Sequence, residues 1–123
     1  MAGRLVHVEL PAQDDRRAIE FWSNLFGWEW NTEEMPGLSY HMTQAGGDPV
    51  AAVYASEQAG GGPIIYFSSE DIDGHVARVR ELGGRADDKQ PIPGVGWFAR
   101  CHDTEGNPFS LFQADEAVAP PAD

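Results

Sequence analysis

The stretch Pro93–Gln113, PGVGWFARCHDTEGNPFSLFQ, decides how the rest of the chain is read. Val95 to His102 carries large apolar and aromatic residues suited to an extended strand. Asp103-Thr104-Glu105-Gly106-Asn107-Pro108 is dense in turn formers. Gly106 takes φ > 0 at no steric cost, and Asp103 and Asn107 bond local backbone. Phe109 to Gln113 is a short apolar run, so the whole predicts a hairpin of two strands.

The segments before it repeat one order. Ile64–Ser68 (IIYFS) is an expected strand, and Glu70-Asp71-Ile72-Asp73 opens a helix with Val76, Val79 and Leu82 on its apolar stripe. Gly83-Gly84 stops that helix, Arg85–Gln90 is a further strand and Pro91–Gly94 a turn. Upstream, Arg4–Leu10 (RLVHVEL) is a strand whose alternation puts Leu5, His7 and Glu9 on one face. Asp14 and Asp15 lead into a helix with Ala18, Ile19, Trp22, Leu25 and Phe26 at helical spacing, closed by Gly27. A second strand is expected from Trp28, with a turn at Met35-Pro36-Gly37. A third spans Leu38–Gln44, a turn Gly46–Pro49 and a fourth strand Val50–Ala55. A shift of 57 residues lays the first helix on the second: Ile19 falls on Val76, Trp22 on Val79, Leu25 on Leu82 and Gly27 on Gly84. The chain is therefore a pseudo-duplication. Residues 1–58 form one module, 59–62 a Gly-rich joint, 63–114 a second module, and 115–123 a flexible acidic tail.

Three segments together, HVELPAQDDRRAIEFWSNLFGW, DIDGHVARVRELGG and PIPGVGWFARCHDTEGNPFSLFQ, resemble the vicinal oxygen chelate superfamily. That superfamily includes glyoxalase I, extradiol dioxygenases and bleomycin-resistance proteins. The resemblance implies an α+β fold of two tandem βαβββ modules whose curled mixed sheets surround a cleft. It does not fix a function, because the superfamily hosts isomerases, dioxygenases, thiol transferases and non-catalytic drug binders.

Metal-dependent members take one ligand from the first and last strands of each module. Here those positions are His7, Ala52 or Val53, Ile64 and Ser110. One good ligand of four remains, against the three or more that a first-row divalent ion needs. No cofactor is expected on this basis. If a divalent metal were held, His7 and Glu9 would hold it, since they share a strand face. Without one, they form a polar fixture of a ligand cleft, because a buried carboxylate needs a partner.

The expected ligand-binding set is His7, Glu9, Tyr54, Tyr66, Ser110 and Phe112, an aromatic cavity with a few polar groups. His41 reaches this cleft on one phase of its strand. His75 and His102 are read as surface or border residues, and Cys101 as a small core residue. The formal net charge is −12, from 20 Asp and Glu against 8 Lys and Arg. Phosphate binding needs a basic footprint, so nucleic acid is excluded as a partner, and an acidic membrane surface would repel the chain. One cysteine permits no internal disulfide, and no apolar stretch is long enough to span a membrane. The expected setting is cytoplasmic, and the resemblance implies a homodimer. The leading expectation is a metal-free binder of a small organic molecule. The alternative is a glyoxalase- or dioxygenase-like lyase or oxidoreductase using His7 and Glu9.

Overall fold

The computed structural model describes residues 2–35, 37–43, 50–57 and 59–119. The turn expected at Gly46–Pro49 lies outside them. Two compact units emerge: one spans Val6–Ile64, and the other takes Ile65 onward together with the residues before Val6. The fold is α+β, and each unit is a βαβββ module.

In the first module the order is β1 (Leu5–Ala12), α1 (Asp15–Phe26), β2 (Asn31–Met35), β3 (Leu38–Thr43) and β4 (Val50–Ala55). The sheet runs β2-β3-β4-β1, with β1 and β4 parallel and the other pairs antiparallel. A parallel pair needs a crossover, and α1 lies within the one that joins β1 to the rest. Helix α1 begins where expected, because the Asp14 side chain accepts from the Arg17 N–H as N-cap. It ends at Gly27, whose φ of 73° is the left-handed cap a side chain would strain.

The second strand differs from its expectation. Trp28–Trp30 is not a strand, and β2 starts at Asn31. The aromatic run is held against α1 instead: Trp28 stacks on Trp22 at 5.2 Å, and Trp30 Nε1 donates to Ser23 Oγ at 2.9 Å. Side-chain packing has overridden β-propensity there.

The second module runs β5 (Ile64–Ser68), α2 (Ile72–Glu81), β6 (Arg85–Ala86), β7 (Gln90–Ile92), β8 (Gly96–His102) and β9 (Pro108–Ala114). β5 and β9 are parallel, and β8 is antiparallel to β9, β6 and β7. Strands β6 and β7 pair with successive stretches of β8, so they act as one interrupted strand. Its second piece falls on Pro91, where a turn was expected. Pro is tolerated there because the strand lies at the sheet's edge.

The Asp103–Asn107 turn forms as read, with Asp103 Oδ1 accepting from the Glu105 and Asn107 N–H groups. Helix α2 is capped by Asp71, and Gln113 Oε1 of β9 accepts from the Ile72 N–H at 2.8 Å. It ends tight against β8: a Cβ on Gly84 would sit 2.7 Å from the His102 carbonyl oxygen. Its apolar stripe docks on the sheet, with Ile72, Val76, Ala99, Cys101 and Leu111 forming a buried cluster.

The expected flexible tail is anchored at its start. The Asp115 N–H donates to Val95 O, the Gly94 N–H donates to Val118 O, and Val118 is buried. No helix among the described residues is long and apolar enough to cross a membrane.

Candidate functional site

Alternation and register sort each sheet into two faces. In the first module Glu9 pairs with Ala52, Tyr54 with Tyr40, and Met42 with Ala52. His7, Glu9, Ala52, Tyr54 and Tyr40 therefore share one face, away from α1. His41, Thr43 and Val53 take the other.

On the first face, the Tyr40 hydroxyl donates to Glu9 Oε2 at 2.8 Å and lies 2.7 Å from His7 Nε2. A hydroxyl has one proton to give. With that proton on Glu9, the His7 bond runs from Nε2–H to the Tyr40 oxygen. His7 and Glu9, expected as a polar fixture on one strand face, are thus bridged by tyrosine. The Tyr40 ring stacks at 23° to His7, with centroids 6.2 Å apart, and at 28° to Tyr54, with centroids 5.8 Å apart. Burial lowers the His7 pKa below its ordinary value, and the nearby Glu9 carboxylate only partly offsets this. Glu9 is 6% exposed, and its Oε1 is buried with no hydrogen-bond partner among the described residues.

In the second module Tyr66 pairs with Ser110 and Ser68 with Phe112 across β5 and β9. Across β8, Ser110 pairs with Arg100 and Phe112 with Phe98. These residues share the face away from α2. Ser110 is 0% exposed, and its Oγ has no hydrogen-bond partner among the described residues.

The structure therefore brings His7, Glu9 and Tyr54 together in the first module, and Tyr66, Ser110 and Phe112 in the second. Sequence reasoning missed Tyr40. The alternation of β3 was legible, but its phase is set by the Tyr40–Tyr54 register, which no local signal reports. His41 takes the opposite phase: its Nε2 lies 2.7 Å from Asp15 Oδ2 and its Nδ1 2.8 Å from Thr32 Oγ1. That bond holds the Asp15 carboxyl below its usual range. His75 bonds Ser69 Oγ through Nδ1.

The register also tests the fit to a metal. Tyr66 stands at the position of Glu9, and Ser110 at the position of Ala52. Ala52 and Ile64 carry no donor atom, and Ser110 offers a neutral hydroxyl. Among the described residues no three His, Cys, Asp or Glu side chains are grouped to hold an ion. The donor set does not fit a metal centre of the superfamily type.

The family model described as "Glyoxalase-like domain" matches residues 6–112, and the chain belongs to that family. A "Glyoxylase-like domain-containing protein" of Didymella fabae is 30% identical over 118 residues, covering 89% of this chain and 92% of that protein. The "Putative glyoxylase CFP32" of Mycobacterium bovis is 29% identical over a 121-residue alignment that covers 90% of this chain but 46% of that longer protein. Among solved structures, methylmalonyl-CoA epimerase of Streptomyces coelicolor, in complex with 2-nitronate-propionyl-CoA, superposes with a TM-score of 0.71. It is 21% identical, over 98% of this chain and 100% of that one. The epimerase of Mycobacterium tuberculosis gives 0.69 at 20% identity, over 92% and 88%. At such identities the likeness carries the fold: that of the vicinal oxygen chelate superfamily.

Proposed function

We propose that this chain binds a small organic molecule on the polar and aromatic faces of its sheets, without a superfamily metal centre. The observation that carries the reading is Glu9. A buried carboxylate oxygen with no partner is costly, and native structures nearly always satisfy such atoms. Beside it stand Tyr40, Tyr54 and His7, already stacked and hydrogen-bonded, so a planar ligand meets a prearranged wall. A hydrogen-bond donor on the ligand would satisfy Glu9 Oε1.

A second reading is supported by the His7–Tyr40–Glu9 chain, along which a proton can pass. In it the protein is an enzyme, and Glu9 and His7 act as an acid–base pair.

The reading includes a homodimer, supported by the exposed apolar face of α1. It also includes a reducing cytoplasmic setting. Burial, with Asp87 adding, pushes the Cys101 thiol up to about 11, which suits a packing residue and not a nucleophile.

A thermal-shift screen of small aromatic compounds tests the binding reading, followed by affinities for His7→Ala and Glu9→Ala. Both variants should weaken the best ligand, Glu9→Ala by about tenfold or more, the order expected for a lost hydrogen bond to a charged group. Their melting temperatures should fall only slightly. Collapse of thermal stability with unchanged affinity per folded molecule would make both residues structural.

A further inference from the structure

We propose that the second module's site face is a carboxylate subsite, built on Arg100 and Ser110, for a small acid with a planar apolar body. This rests on the reading of that face as a ligand-binding surface, and it names the ligand's class.

Three observations converge. Among the described residues Ser110 Oγ is buried without a hydrogen-bond partner, whereas the buried Ser69 hydroxyl is bonded. Its register partner across β8 is Arg100. Side chains directly opposite in an antiparallel pair stand about 5 Å apart at Cβ, so the Arg100 side chain starts from the rung that carries Ser110. The next rung is Phe98 opposite Phe112, and the Arg100 guanidinium lies 5.8 Å from the centre of the Phe98 ring.

The chemistry of these groups selects the ligand. Guanidinium is donor-only, and a hydroxyl on the same rung has its own proton to give. Together they call for a group rich in acceptors. Carboxylate matches the planar fork of Arg. The flanking phenyl rings favour a flat apolar body on that acid over a compact inorganic anion. The overall charge of −12 opposes an anion at long range. Beyond about 8 Å at physiological salt that field is screened.

The test compares 2-naphthoate with its neutral isostere 2-naphthamide, by calorimetry on the full chain. The acid should bind at least about tenfold tighter than the amide. Arg100→Gln should bring that ratio close to one. Ser110→Ala should weaken the acid about three- to tenfold while the melting temperature holds or rises, since an unpartnered buried hydroxyl is removed. Equal affinity for acid and amide overturns the subsite. So does a Ser110→Ala variant that melts lower, because the hydroxyl would then have had a partner. If the amide or 2-naphthylmethylamine binds and the acid does not, and Glu9→Ala abolishes that binding, the carboxylate class falls while the ligand-binding reading stands. No binding by any of the three removes both.

Discussion

The two modules share one plan but fasten their helices by opposite means. The shift that superposes the helices puts Asp15 on Ile72. The strand registers put His41, opposite Val53, on Ala99, opposite Leu111. In the second module Ile72 and Ala99 belong to a buried apolar cluster. In the first, the same two places hold a hydrogen-bonded Asp–His pair, extended to Thr32. Accordingly α2 buries Ile72 and Val76, whereas α1 has no fully buried residue. One plan is thus stabilised by apolar burial in one copy and by a directional polar staple in the other.

The sharpest break in this comparison comes from truncating each helix's apolar contact. Ile72→Ala opens a cavity in a fully buried site and should cost about 2–5 kcal/mol. Ile19→Ala, on the half-buried stripe of α1, should cost about 1 kcal/mol. Urea denaturation of both variants measures the difference. Equal costs would mean that α1 is packed as tightly as α2, and the contrast would disappear.

The staple itself makes the next prediction. Asp15→Asn should lose about 1–3 kcal/mol at neutral pH, the scale of a hydrogen bond to a charged group. The pH dependence follows from the direction of the shift. The folded Asp15 pKa lies below its unfolded value near 3.9. Its contribution is therefore complete above that value and lost as pH falls through the lower, folded one. The gap between wild type and Asp15→Asn should be constant from pH 7 to about 5 and close on further acidification. The double variant Asp15→Ile, His41→Ala rebuilds the second module's pair in the first. Its loss should be well short of the sum of the single losses, because an apolar pair can replace a hydrogen-bonded polar pair at little cost, whereas breaking one leaves a polar group stranded. Additive losses would show that the two sites are not equivalent.

The same contrast explains what the sequence could reveal. The helices, their Asp caps, Gly27 and the Asp103–Asn107 turn depend on local chemistry and were legible. So was the pseudo-duplication, and with it the alignment of Glu9 with Tyr66. The site was half legible. Alternation within one strand grouped His7 with Glu9, and Ser110 with Phe112, because a strand's faces follow from period two alone. Tyr40 and His41 were not separable, since the phase of β3 depends on its pairing with a strand about a dozen residues away. Trp28 and Trp30 misled because aromatic residues suit strands and helix flanks alike. The staple was invisible for the same long-range reason: Asp15 and His41 are 26 residues apart.

The smallest expected effect lies on the outer face of α1. Phe21, Leu25 and Phe26 are 57%, 55% and 60% exposed. Scattered exposed apolar residues are ordinary, but Phe21 and Phe26 adjoin Trp22 and Trp28 in one aromatic patch. Contiguous patches of that kind mark interfaces. Phe21→Ser removes an exposed ring, so the stability of the isolated chain should change by less than about 0.5 kcal/mol. If the patch joins two copies, the same change should shift sedimentation equilibrium toward monomer by tenfold or more, as expected of an aromatic anchor. Dimer dissociation without loss of fold would place the polar staple and the apolar patch in one scheme: a helix tied to its own sheet by hydrogen bonds keeps its aromatic face for a second chain. An unchanged dimer would put the interface elsewhere, and a protein that is monomeric throughout would leave the patch as surface. A marked loss of stability would mean that Phe21 packs within its own module, and would bring α1 closer to α2 than the structure shows.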